Sequence, residues 1–266
     1  MTNTTGLHEG RTYVVTGAAS GIGAATAAWL RQAAGRVIGA DLRDADVIAD
    51  LTTAEGRAAL VEGAARLSGG RIDAIVANAG GGPVETMLAL NFFGAVASLD
   101  GLRPLLGASA APRAVMVSSI SSLGPIDAGL VQVCLAGDEA AADVAAREAI
   151  AAGKGPLEFY GAAKHALNTW CRRVASQPQW AGAGIPLNVV APGVIDTPAA
   201  AYILSDPDRK AQMGAMAPLR GAYPGRPEQM AAIVAWCVSA ENSLMTGQIL
   251  FADGGFECLA RGERAW

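Results

Sequence analysis

Histidine is almost missing from this 266-residue sequence: His8 and His165 stand alone and far apart. A metal centre built on imidazole is not expected, and no metal is assigned. His165 reads as a helix-surface residue. Cysteine is scarce too, with Cys134, Cys171, Cys237 and Cys258 scattered and no Cys-x-x-Cys spacing. They are read as buried free thiols, not as disulfides or metal ligands. Basic residues do not exceed acidic ones, and the formal net charge of −4 excludes bulk attraction to nucleic acid or an anionic membrane. No apolar run approaches the ~18 residues of a membrane span. Residues 1–10 are polar, without a basic-then-apolar signal pattern. The expectation is a cytoplasmic protein without nucleic-acid or membrane partners.

What is abundant is alanine and glycine, with 33 Gly and 52% hydrophobic residues. That composition suits a globular chain with many tight turns. A compact fold of this length buries roughly three quarters of its unfolded surface. No repeat and no long linker interrupts it, so one domain over residues 1–266 is expected.

Strand patterns alternate with helical ones. A β-rich run at 11–16 enters Gly17-Ala18-Ala19-Ser20-Gly21-Ile22-Gly23, and an Ala-rich helix follows to about residue 34. Strand, glycine turn and helix in succession are the context of a phosphate cradle. Gly17 and Gly21 let the backbone turn and approach an anion, and Gly23 lets the helix pack closely. The next strand, 36–41, ends in Asp41, which is placed to accept hydrogen bonds from an adenosine ribose and to repel a 2′-phosphate. NAD is thereby favoured over NADP, although Arg43 beside it could accommodate that phosphate. Further strands are expected at 46–51, 71–77, 114–119, 186–191 and 248–252. Helices are expected at 53–67, 83–106, 157–175 and 227–239. This alternation predicts a doubly wound α/β Rossmann fold, a seven-stranded parallel sheet with helices on both faces.

Two segments break the rhythm. Residues 120–158 carry one helical stretch, near 138–152. Residues 198–227 hold Tyr202, Ile203, Leu204, Met213, Met216 and Leu219 among helix breakers, and could fold over a ligand as a lid or simply pack on the sheet edge.

Tyr160 and Lys164 lie four apart in a helical pattern, so phenol and ammonium project from one face. A cation beside a phenol favours the phenolate, which suits proton exchange with an alcohol or carbonyl oxygen. Such a pair alone is a common surface arrangement.

Taken jointly, Thr16-Gly17-x-x-x-Gly21-Ile22-Gly23, Asn78-Ala79-Gly80, Ser119, Tyr160-x-x-x-Lys164 and Pro192-Gly193-x-x-x-Thr197 resemble the short-chain dehydrogenase/reductase family over nearly the whole length. The resemblance implies an NAD-dependent oxidoreductase interconverting a secondary alcohol and a ketone. Tyr160 would be the general acid/base, and Lys164 would bind the nicotinamide ribose and lower the Tyr160 pKa. Ser119 would polarise the substrate oxygen, an assignment made among Ser118, Ser121 and Ser122. Asn91 would hold a water in a proton relay. Cofactor contacts would come from Gly17, Ser20, Gly21, Ile22, Gly23, Asp41, Leu42, Asp50, Leu51, Asn78, Ala79, Gly80, Tyr160, Lys164, Pro192, Gly193, Ile195 and Thr197. Asn78 is expected to brace the sheet. The family usually places Ser and Tyr about a dozen residues apart, but here 40 residues (120–159) separate Ser119 from Tyr160. That insertion is similar to one in the family's bacterial hydroxysteroid dehydrogenase/carbonyl reductase branch. It implies a homodimer through the 227–239 helix and the last strand, with a tetramer as the alternative. A steroid or other bulky alicyclic alcohol is the expected substrate, and a smaller terpenoid or aromatic carbonyl the alternative. The family's enoyl reductases space Tyr and Lys more widely. A catalytically silent dinucleotide sensor would usually have lost one of the pair.

Overall fold

The computed structural model describes residues 5–264; residues 1–4, the start of the polar N-terminal stretch, lie outside it. Seven strands form one parallel sheet. They are β1 (Thr12–Thr16), β2 (Arg36–Asp41), β3 (Val47–Ile48), β4 (Ala74–Ala77), β5 (Arg113–Val117), β6 (Leu187–Pro192) and β7 (Ile249–Ala252). Their order is β3-β2-β1-β4-β5-β6-β7. The helices are α1 (Gly21–Gln32), α2 (Ala54–Ser68), α3 (Ala95–Leu102), α4 (Ala128–Ala136), α5 (Glu139–Ala151), α6 (Pro156–Val174), α7 (Ala201–Leu204), α8 (Pro207–Ala215), α9 (Pro227–Cys237) and α10 (Phe256–Arg261).

The central strands are near-continuous apolar runs because both sheet faces are covered. Alternate residues of each strand enter opposite cores. Val14, Ile75, Met116 and Val189 pack with Leu60, Leu99 and Leu167 from α2, α3 and α6. Val15, Val76, Val115 and Val190 pack with Leu30, Met230 and Val234 from α1 and α9. Chain order reverses between β1 and β4, and ligands of open α/β sheets bind at the carboxyl edge of such a switch point.

Three expectations need correction. The strand expected at 46–51 is only Val47–Ile48. Asp50 turns the chain there, its Oδ1 accepting from the Thr52 N–H (2.9 Å) and Oγ1 (2.7 Å), and Thr53 then caps α2. The helix expected at 83–106 is broken. A 3-10 turn at Val84–Thr86 precedes a π-helical stretch at Ala89–Gly94, then α3, then a second 3-10 segment at Arg103–Ala108. Asn91 Nδ2 donates to Met87 O (2.8 Å), so a side chain takes a carbonyl that a regular helix would use. Pro104 lacks the N–H to continue α3.

The 120–158 insertion contains two helices, not one. Asp127 caps α4 by accepting from Leu130 N–H, Gly137 (φ 77°) ends it, and Asp138 caps α5 by accepting from Ala141 N–H. Helix α4 was hidden because Gly-Leu-Val-Gln-Val-Cys-Leu-Ala is apolar without helical periodicity. A Lys154–Asp127 ion pair joins the end of the insertion to its beginning. Cys134, Cys171 and Cys237 are buried and free, as expected, but Cys258 is exposed, because α10 lies on the surface.

Candidate active site

The turn after β1 is built on glycine by necessity. Gly17 has φ 69°, and a Cβ there would lie 2.7 Å from Asn78 Nδ2 and 2.9 Å from Ala79 Cα. A Cβ on Gly23 would lie 2.0 Å from Gly17 O, so α1 can sit against the turn only without a side chain. Gly17 N and Ala18 N donate to Ala40 O at 2.8 and 3.2 Å. At the opening turn of α1 Ser20 makes no side-chain cap, and Ile22 packs on the α1–α9 core. Residues and shape fit a dinucleotide pyrophosphate at this helix start.

Asp41 ends β2 beside the glycine turn. Its Oδ2 accepts from Ala19 N (2.9 Å) and its Oδ1 from Leu42 N (2.7 Å), which fixes the carboxylate beside the glycine turn. A cleft of about 330 Å³ lies next to it, lined by Ala18, Arg31, Gly39, Asp44, Ala45 and Asp46. Arg31 pairs with Asp46 across 3.6 Å. Leu42 is exposed and Leu51 buried.

Asn78 braces the sheet, as expected. Its Nδ2 donates to Thr16 O (3.0 Å) and Gly17 O (3.3 Å), while Thr16 Oγ1 accepts from Asn78 N and Ala79 N, both at 3.0 Å. Gly80 lies where a Cβ would come within 2.8 Å of Asn91 Oδ1 and 3.2 Å of Lys164 Nζ, so β4, the π-helical stretch and α6 converge there. Asn91 is fully buried, accepting from Gly81 N (2.9 Å) and donating to Gly81 O (2.9 Å). On the other side, Gly193 packs against Asp253, and Ile195 bridges to Gly225. Thr197 Cγ2 would sit 3.1 Å from a Cβ on Gly21. The turn that starts at Pro192 therefore folds back over the glycine turn.

Helix α6 brings the polar groups together. Ser119, at the end of β5, lies close enough to Tyr160 to act on its phenol. Lys164 Nζ lies 5.4 Å from the Tyr160 ring centroid and donates to Val117 O at 2.9 Å. Burial pushes the phenol up to about 12, with Ser119 acting the other way. Burial also pushes the Lys164 ammonium down to about 8. Lys164 thus faces the ring and not the hydroxyl, and desolvation is the larger influence on both groups.

The four crowded serines separate by partner. Ser118 Oγ is buried and donates to Lys164 O (3.3 Å). Ser122 Oγ donates to Ser119 O (2.7 Å). Ser121 accepts from Ser119 Oγ (3.2 Å), and Ser119 is the serine that acts on Tyr160. Gly161 lets α6 approach this turn, since a Cβ there would meet Ser121 O at 3.0 Å. His165 is exposed, with its Nδ1 3.1 Å from Ser122 O.

Sequence reasoning missed one group. Asn168 stands one further turn along the Tyr160–Lys164 stripe, and its Nδ2 donates to Ser122 Oγ (3.0 Å), bracing the serine turn from below. The four-residue spacing of 160, 164 and 168 was the available signal. Tyr202 of α7, in the 198–227 segment, is near enough to Tyr160 to push its pKa further up. A cleft of about 540 Å³ opens there, lined by Asp196, Thr197, Pro198, Ala201, Leu204 and Ser205.

Comparison with known proteins agrees with this geometry. A protein-family model described as Enoyl-(Acyl carrier protein) reductase matches residues 144–257. The chain is 36% identical to 3-alpha-hydroxysteroid dehydrogenase/carbonyl reductase of Comamonas testosteroni over 93% of this chain and 97% of that one. It is 34% identical to cis-4-hydroxycyclohexanecarboxylate dehydrogenase of Sinomonas cyclohexanicum over 92% and 96%. The solved 3-alpha-hydroxysteroid dehydrogenase from Pseudomonas sp. B-0831, complexed with NADH, superimposes with a TM-score of 0.85 at 35% identity, covering 95% of this chain and 99% of that one. With this identity across nearly the full length of both chains, the chain belongs to the short-chain dehydrogenase/reductase family.

Proposed function

We propose that this protein is an NAD-dependent oxidoreductase that interconverts a bulky alicyclic secondary alcohol, such as a steroid, with its ketone. The observation that carries this reading is the convergence of Ser119, Tyr160 and Lys164 at the end of β5, with Lys164 Nζ 5.4 Å from the phenol ring centroid. Ser119 Oγ orients and polarises the substrate oxygen. Tyr160 takes the proton from an alcohol or gives it to the oxygen of a ketone. Lys164 and the buried Asn91 stand behind it as the inward path of the proton, and Lys164 also holds the nicotinamide ribose. A bound nicotinamide dinucleotide supplies or accepts the hydride. The chain holds that cofactor through the glycine turn, Asp41 and Leu42 at the ribose, Asp50 and Leu51 at the adenine, and Ile195 and Thr197 at the carboxamide.

The preference for NAD rests on Asp41, Asp44 and Asp46 beside the ribose position and on the pairing of Arg31 with Asp46. A 2′-phosphate would meet carboxylates, and Arg43 beside Asp41 is the cation that could offset them. The wild-type protein is expected to prefer NADH over NADPH as reductant for steroid, alicyclic and aryl ketones. Asp41→Ala is expected to shrink that preference tenfold or more, since one unscreened like charge at this range is worth about 1–2 kcal/mol. A wild type that prefers NADPH refutes the assignment. A protein that binds NADH tightly but turns over no ketone is a sensor.

The steroid-sized substrate draws support from the names of the two relatives, both dehydrogenases of ring alcohols. The apolar 198–227 segment, placed beside Tyr160, acts as the lid of a single catalytic domain. We also propose a cytoplasmic homodimer. Trp236 of α9 is 42% exposed, Leu244 is 93% exposed, and every residue of β7 is only partly buried, so this edge carries the apolar surface a partner would cover. Helix α4 packs on α6 and so obstructs dimerisation through the helices that flank the Ser119–Tyr160 gap. Sedimentation is expected at twice the chain mass; a monomer, or a tetramer using the Asn91-bearing helix, contradicts this.

A further inference from the structure

Arg57 of α2 is the meeting point of three segments far apart in sequence. Its Nε donates to Leu51 O (2.8 Å), at the start of the loop after β3. Its Nη2 donates to Ala89 O (3.1 Å), the first residue of the π-helical stretch that carries Asn91. Its Nη1 and Nη2 each lie 2.6 Å from one oxygen of Glu139, the first residue of α5 in the insertion. The Arg57 side chain is only 14% exposed. The loop and the π-helical stretch touch directly at the same place, for a Cβ on Gly94 would lie 2.8 Å from Leu51 O.

A guanidinium is planar, and its donors point in fixed directions. Two of them hold backbone carbonyls, which sets the distance between the Leu51 loop and the start of the π-helical stretch. The two-oxygen grip of Glu139 fixes the plane in which those donors lie. Lysine at position 57 could not make these bonds together. Glutamine at position 139 would keep shape and one acceptor but lose the symmetric grip.

We propose that Arg57 and Glu139 are a positioning pair through which the insertion between Ser119 and Tyr160 shapes the dinucleotide site. This rests on the assignment of the Leu51 loop to the adenine side of an NAD cofactor. Neither residue touches the reacting atoms. Arg57 acts through Leu51 and the Asn91 segment, and Glu139 acts through Arg57. The insertion is then a strut for the cofactor site as well as an obstacle to one mode of assembly.

The test uses Glu139→Gln and Arg57→Lys in the full-length protein, with NADH and ADP-ribose binding measured by fluorescence titration and competition. Glu139 is 39% exposed, so its neutral variant keeps the folded protein available even if Arg57→Lys lowers expression. Both variants are expected to bind NADH and ADP-ribose about five- to twentyfold more weakly, with turnover at saturating NADH within about twofold of wild type. The double variant is expected to be no weaker than the poorer single one, because the two residues act as one unit. Dissociation constants unchanged within twofold, even with a lowered melting temperature, would make the pair merely structural and overturn the inference alone. Failure of the unsubstituted protein to bind NADH would overturn the inference together with the proposed function.

Discussion

Tyr160→Phe is expected to lower turnover by about 10²–10⁴-fold while leaving NADH affinity within about threefold of wild type. The range is what a positioned general acid or base contributes. The substitution removes one oxygen, the one on which Ser119 acts at the end of β5. The ring and its place over Lys164 stay, so the helix and the cofactor cradle are not disturbed. The wild-type pH profile follows from the same oxygen. Alcohol oxidation needs the phenolate, and burial pushes the phenol up to about 12, so oxidation at limiting substrate rises with pH across the neutral and alkaline range. Ketone reduction needs the protonated phenol and stays level over that range. Substantial activity in the Phe variant would remove Tyr160 from the chemistry.

Lys164→Met is the second large effect, and its two consequences have opposite signs. Activity is lost with the ammonium, but the folded protein gains stability at neutral pH. Lys164 is 2% exposed and burial pushes its ammonium from 10.5 down to about 8. A depression of that size corresponds to a cost of about 3 kcal/mol for holding the charged form in the folded chain. Methionine removes this cost but leaves Val117 O without its donor, which costs about 1–2 kcal/mol. The net gain expected is about 1–2 kcal/mol, a rise of about 2–8 °C in Tm for a domain of this size. The pH dependence carries the sign. Below pH 8 the wild-type lysine is charged in both folded and unfolded chains, and the full cost applies. Between about 8 and 10.5 the folded lysine is neutral while the unfolded one still binds a proton, so wild-type stability from this group rises with pH. The advantage of the methionine variant should therefore shrink across that window. Tyr160, whose folded pKa is raised, opposes this above pH 10. A destabilised methionine variant at pH 7 would show that the hydrogen bond to Val117 outweighs desolvation.

The parallel sheet and the glycine turn were legible because their signals are local, whereas the strand order is set by the crossovers. Buried runs such as Ala74–Ala77 and Leu187–Pro192 mark strands, and Gly17 and Gly23 sit where no side chain fits. Ser119 and Tyr160 could be placed at one crevice because each ends or follows a parallel strand. Other features stayed hidden for a physical reason. The π-helical stretch depends on Asn91 reaching back to Met87 and across to Gly81, which no periodicity records. Helix α4 owes its form to Asp127, Gly137 and its seat on α6, against the local preference of its Val-rich core. Arg57 read as one charge on an amphipathic helix, yet its acceptors come from residues 51, 89 and 139. Asn168 spoke only through its spacing from Lys164, and its partner Ser122 lies 46 residues earlier in the chain.

The insertion changes how the Ser119–Tyr160 pair is understood. In sequence the two are far apart, and in the fold they meet at the end of β5. The added residues leave that geometry in place and occupy the outer side of α6 and the edge of the π-helical stretch. They bear on what surrounds the chemistry and leave the chemistry itself to the sheet edge.

The central claim, that Tyr160 exchanges a proton with a ring alcohol or ketone while NAD(H) carries the hydride, is tested most directly by the near-ultraviolet absorbance of NADH. Wild type and Tyr160→Phe are mixed in parallel with NADH and a panel of steroid and alicyclic ketones. The account predicts that the wild type consumes NADH with at least one of these ketones and regenerates it from NAD with the matching alcohol, while the Phe variant binds NADH and consumes almost none. Equal consumption by both proteins, or tight NADH binding by the wild type with no consumption across the panel, would contradict it.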